Sequence, residues 1–240
     1  MSLIAAFIYI LLTSTLSGAL GMAGGAILLA IFLLVFPLPI ALILHGLTQF
    51  SSNGFRAYIN REHLNFSIIL PYALGAIISY GVFELLQLQP NKKVIFILLG
   101  LMPLLGIMKR TSSFFDIEKK GRSFLCGIFV SATQVVAGVS GSVLDLFYLS
   151  SSIGRFSIVS TKAFTQAFGH ALKTVYFIKL FNFEYSDISI ELYSIALITP
   201  LLGGLFGKKI LTRFSDQSFL VVAKTTMIFF SGVMLYKGFV

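Results

Sequence analysis

Charged side chains are scarce in this sequence. Only 11% of its 240 residues are Asp, Glu, Lys or Arg, against 57% hydrophobic, whereas a soluble domain carries roughly a quarter charged. Residues 1–44 contain no charged side chain at all. The first shortage excludes a water-soluble globule. The second argues against a cleaved signal peptide, which opens with a basic stretch and has a short apolar run. Cysteine is nearly absent: Cys126 stands alone, so no intramolecular disulfide can form. Signatures of chemistry are also missing. There is no GxxxxGK[ST] for nucleotide phosphates, no HExxH or paired Cys/His spacing for a metal, and no GxSxG nucleophile turn. The expectation is a protein that is not an enzyme and uses no cofactor or metal.

What remains is long apolar runs, and mean hydropathy is +0.93. At ~20 apolar residues per crossing of a bilayer, the chain supplies about ten crossings with little left over. The runs fall at about 3–20, 24–36, 40–58, 66–86, 92–109, 121–137, 143–153, 157–181, 188–207 and 217–238. Gly21-Met22-Ala23-Gly24-Gly25, Pro37-Leu38-Pro39 and Gly138-Val139-Ser140-Gly141-Ser142 break them. The second and seventh runs are too short to cross ~30 Å of hydrocarbon as helices and read as re-entrant half-helices. The expected fold is an all-α integral membrane protein.

The net charge of +9 forms no basic face, so no nucleic-acid partner is expected. The charges cluster between apolar runs, as positive-inside loops do. The richest cluster, Lys109, Arg110, Lys119, Lys120 and Arg122, marks the cytoplasmic side. Counting crossings, Arg56, Arg61, Lys208, Lys209 and Arg213 join it, while Glu184, Asp187 and Glu191 fall outside. Lys92 and Lys93 alone disagree, and both termini come out external.

An offset of 117 residues brings Gly21 onto Gly138, Gly24 onto Gly141, His45 onto Lys162, Gln49 onto Gln166, Asn53 onto His170, Arg56 onto Lys173 and Phe66 onto Phe183. After an insertion, Pro71 meets Pro200 and Gly75 meets Gly204. Five segments per half is an odd number, so the halves are expected to be inverted repeats: 1–110, a cytoplasmic linker at 111–120, and 121–240. Secondary transporters with this plan place their sites at the repeat interface near the midplane.

If the two half-helices dip in and return, their N-termini face the membrane centre with unpartnered N–H groups and the positive dipole end. Gly24, Gly25, Ser140, Gly141 and Ser142 would then cradle an anion. The competing reading of these small residues is close helix packing. On the next helices, His45, Gln49, Asn53 and Arg56 form one polar stripe, and Lys162, Gln166, His170 and Lys173 form its counterpart. The glutamines fall at midplane depth, each expected beside the opposite half's half-helix. Interhelical bonding is their alternative role. Arg56 and Lys173 either line the pathway or snorkel to the interface. Asp145, one turn into the second half-helix, either pairs with Lys162 or His170 or carries a coupling proton.

A GxxGG-like turn in each half, a short helix, then a polar-striped helix resembles the TauE/SafE family of sulfite and organosulfonate permeases, over about Leu16 to Lys237. The first turn lacks the proline usual in that family, and Ser142 replaces a glycine in the second. The resemblance implies outward movement of small sulfur-containing anions across a bacterial inner membrane. Residues and resemblance together give a secondary transporter whose partners are a small anion, a coupling proton or cation, and the lipid bilayer. An oligomer is compatible with this reading. The alternatives are an integral-membrane enzyme or redox protein, and a membrane scaffold.

Overall fold

The computed structural model describes residues 2–20, 24–107, 115–148, 151–211 and 216–240. Among these the chain is helical, without strands. The helices are α1 (Leu3–Leu20), α2 (Gly24–Val35), α3 (Leu38–Ile59), α4 (Phe66–Leu86), α5 (Lys92–Ile107), α6 (Arg122–Ala137), α7 (Gly141–Tyr148), α8 (Arg155–Leu180), α9 (Ile190–Leu211) and α10 (Asp216–Phe239). Residues 21–23 of the first glycine turn, Lys109 and Arg110, the first part of the linker (111–114) and Arg213 lie outside the described residues.

Local chemistry accounts for the boundaries. Pro37 stands at the start of α3, where a missing N–H costs no helical bond. The Asn65 side chain accepts a bond from Ser67 N–H (3.1 Å) and opens α4. Gly121 (φ 77°) and Gly138 (φ 74°) bracket α6 in the left-handed region, and Gly138 N–H closes on Gln134 O. The linker ends by tucking inward: Ile117 is buried, and its N–H bonds to Phe147 O (3.0 Å).

The core holds apolar side chains such as Leu28, Phe32, Leu42 and Phe147, yet burial departs from that of a soluble protein. Large apolar side chains face outward, as at Ile4, Leu70, Leu85 and Phe229, while His45, Gln49, Asn53, His170 and Lys173 are buried. Lipid tails accept the former, and only a protein interior accepts the latter. Two helices, Phe66–Leu86 and Ile190–Gly207, are both long and apolar enough to cross a bilayer, with hydropathies of 1.8 and 1.6. The long helices α3 and α8 fall short because each carries its polar stripe inward. At 12 and 8 residues, α2 and α7 reach only about 18 and 12 Å.

Helix α3 packs on α8 at the centre, and α5 on α10. Around them α1 lies on α9 and α4 on α6, with α9 also on α3 and α4 on α8. Glycines set the close approaches. Gly75 on α4 faces the Phe124 carbonyl of α6, and Gly127 on α6 faces the Tyr72 carbonyl of α4.

Candidate functional site

The polar stripes of α3 and α8 meet at a cavity of about 80 Å³. That is far below the roughly 300–1,000 Å³ of sites that enclose drug-sized ligands, so a small ion fits and a nucleotide does not. Helix α3 contributes His45, Gln49, Asn53 and Arg56, and α8 contributes Gln166 and His170. The N-terminus of α2 supplies Gly25 and Ala26. The entry to α7 supplies Ser140, Gly141 and Ser142, with Asp145 one turn on. Both half-helices therefore begin at one cavity. Apolar walls come from Leu99 and Met102 of α5 and Phe230 of α10.

Two polar atoms here have no hydrogen-bond partner among the described residues although both are buried: Ser140 Oγ and His170 Nδ1. A buried polar atom without a partner forfeits about 1–3 kcal/mol, and native interiors rarely leave one so. Both belong to residues that line the cavity, and six further buried polar atoms, among them Tyr72 OH and Ser131 Oγ, lack a partner elsewhere among the described residues.

The glutamines differ from expectation. A Cβ on Gly25 would lie 3.0 Å from Gln49 Oε1, and one on Gly141 would lie 3.6 Å from Gln166 Nε2. Each glutamine thus stands over the half-helix of its own half, not the opposite one, because a short turn folds α3 back along α2. Asn53 Nδ2 donates to Gln49 O (2.9 Å) and reaches Gln49 Oε1 (3.4 Å), which leaves the Gln49 amide nitrogen as the free end.

Gly24 is placed elsewhere. It is absent from the cavity wall, and a Cβ there would collide with Thr13 O and Ser17 Oγ of α1, so its bareness serves close packing. Lys162 stands behind the wall in an ion pair with Asp145, both about one-fifth exposed. Lys173 does not snorkel. It is 0% exposed, with Nζ 2.8 Å from His45 Nδ1 and 2.9 Å from Gly138 O. His45 Nε2 lies 3.0 Å from Gly25 O, and the His45 and His170 rings meet edge to face with centroids 5.4 Å apart.

Sequence reasoning missed Ser17, Ala26, Leu99, Met102, Val139 and Phe230. Ser17 carries a weak signal, a hydroxyl one turn before the glycines of an apolar helix. The others carry none, since an apolar side chain facing a cavity reads like one facing lipid. Among the described residues no cluster of His, Cys, Asp or Glu could hold a metal ion.

Comparison with known proteins gives one result. The family model described as Sulfite exporter TauE/SafE matches residues 6–235, nearly the whole chain. No curated protein and no solved structure matches.

Proposed function

This chain belongs to the TauE/SafE family of membrane permeases, and on that premise we propose that it is a secondary transporter of sulfite or organosulfonates across the cytoplasmic membrane. The anion is held near the midplane between the N-termini of α2 and α7. The observation that carries this reading is the cavity itself: two half-helix starts and two glutamines converge on a space sized for a small ion, beside two buried polar atoms that have no partner among the described residues. Helix starts supply N–H donors and a positive dipole end without a full fixed charge. Such a site binds an anion and still releases it. Arg56 on the wall adds long-range attraction, while Asp145, already paired with Lys162, moderates it.

The inverted five-helix repeats, 1–110 and 121–240, belong to the same proposal. Their support is the packing pattern: exchanging α1–α5 with α6–α10 turns α1–α9 into α6–α4 and α3–α9 into α8–α4, and leaves α3–α8 and α5–α10 unchanged. Counting each half-helix together with the helix before it as one entry and return leaves three crossings per half, and that odd number inverts the second half and leaves both termini outside.

Reconstitution into liposomes tests the function. Uptake of labelled sulfite, methanesulfonate, sulfate and acetate is compared with and without a pH gradient. Saturable flux of sulfite or the sulfonate, faster than that of sulfate and acetate, is expected. Flux no greater than in empty liposomes for every anion overturns the reading.

A further inference from the structure

We infer that Lys173 Nζ is a proton-binding site linked to the anion cavity, so that the protein takes up one proton at Lys173 when an anion binds. The inference rests on the anion-transport reading above. It begins from a hydrogen-bond chain that joins the two glycine turns through the protein interior: Gly25 O, His45, Lys173, Gly138 O.

With a neutral His45 ring, the chain has one consistent set of hydrogens. A carbonyl oxygen only accepts, so His45 Nε2 carries the proton and donates to Gly25 O. In the neutral ring, Nδ1 is then a bare acceptor, and Lys173 Nζ donates to it. A second N–H of Lys173 goes to Gly138 O. These two acceptors use the two hydrogens of a neutral amine in full, and an ammonium would bring a third with no partner among the described residues.

Among the described residues the surroundings offer no compensating charge, and no carboxylate pairs with Lys173. From α3 it faces His45, and His170 lies one turn back on α8 itself. Tyr80 of α4 points its hydroxyl at Gly169 O and Gln134 Oε1. Asp145 of α7 is taken by Lys162, three turns away along α8. Glu62, in the turn 61–63, belongs to the far end of α8, where neighbouring His63 stacks on Phe156. A lone ammonium in such an interior is expensive. An anion in the cavity, across the His45 and His170 rings, supplies the missing countercharge. The proton then adds to the lone pair of Lys173 Nζ, no other bond changes, and it leaves when the anion leaves. Because linkage is reciprocal, the apparent anion affinity weakens about tenfold per unit rise in pH wherever the empty protein has released this proton.

Calorimetric titration of the purified full-length protein tests this. Sulfite is added at about pH 9, where the free anion is already deprotonated, in two buffers of different ionisation enthalpy. The difference between buffers counts protons taken up. About one proton per anion is expected in the unmodified protein, and about zero in Lys173→Gln and Lys173→Met, with binding weakened tenfold or more but measurable. Glutamine keeps two N–H donors for His45 and Gly138, which guards against a simple folding defect. Zero uptake in the unmodified protein overturns the inference, as does unchanged uptake in the variants, which would put the proton on sulfite. Abolished binding in variants of normal thermal stability also overturns it, by making Lys173 a direct anion ligand. Parallel titrations with sulfate and methanesulfonate separate the two readings. One proton taken up with sulfate, when neither sulfite nor methanesulfonate binds, sinks the substrate assignment alone, whereas sulfite binding without a proton sinks the inference alone.

Discussion

Gly24 and Gly141 are equivalent by the 117-residue offset, yet a methyl group added to each meets different surroundings. At Gly24 it strikes the backbone of α1, and at Gly141 it meets only Gln166 Nε2 at 3.6 Å. Gly24→Ala is therefore expected to cost about 1–3 kcal/mol of overpacking, visible as a lower melting temperature in detergent. Gly141→Ala is expected to melt like the parent and to weaken sulfite binding, because its methyl group intrudes on the cavity. Equal melting of the two variants would contradict the close packing at Gly24. For Gln49 and Gln166, loss of a hydrogen bond to a charged ligand costs on the order of 1.5–3 kcal/mol, a roughly ten- to hundred-fold loss of affinity for each alanine variant. If both contact one ion, the double variant departs from additivity. Strict additivity in anion titrations would assign them to separate roles. The polar lining was legible here because Gln49, Asn53, Gln166 and His170 interrupt apolar helices at helical spacing. The jobs of the glycines were not, since a bare Cα looks the same whether it clears room for a helix or for an ion.

Helix α7 places a carboxylate where a helix start favours anions. Asp145 is tied to Lys162 and still lines the cavity, so it opposes the dipole at its own helix end. In Asp145→Asn the lysine loses its partner and the wall becomes more positive. A unit charge within about 10 Å contributes on the order of 1–2 kcal/mol at an effective dielectric of about 20. Anion affinity is thus expected to rise roughly tenfold and turnover in counterflow to fall, because release slows. Unchanged affinity would mean that the pair is electrically silent at the cavity. At this scale the sequence was most informative. Proline and glycine punctuation placed both ends of α2, the start of α3 and the end of α6 within a few residues. What stayed hidden was partner choice: periodicity shows which face of α3 is polar and leaves open that the turn at 36–37 returns Gln49 to its own half-helix. Apolar α5 and α10 gave no sign that Leu99, Met102 and Phe230 close the cavity.

Across the whole molecule, loop charges set the proposed orientation, and the proposal has both chain ends outside. Cysteines introduced one at a time at Ser2, Lys120, Glu184 and Lys237 report it. In intact cells a membrane-impermeant maleimide is expected to label Ser2→Cys, Glu184→Cys and Lys237→Cys, and to spare Lys120→Cys until the cells are opened. Labelling at Ser2 without labelling at Lys237 would place the termini on opposite sides and remove the inversion of the second half. The natural thiol makes this experiment simple. Cys126 sits on α6 at 0% exposure, enclosed with Tyr72, Val130 and Phe147, and a buried, apolar thiol is inert. The unmodified chain is thus its own blank: fluorophores or spin labels can be attached at chosen positions without first engineering the background, and distances between the halves can be followed as the carrier works.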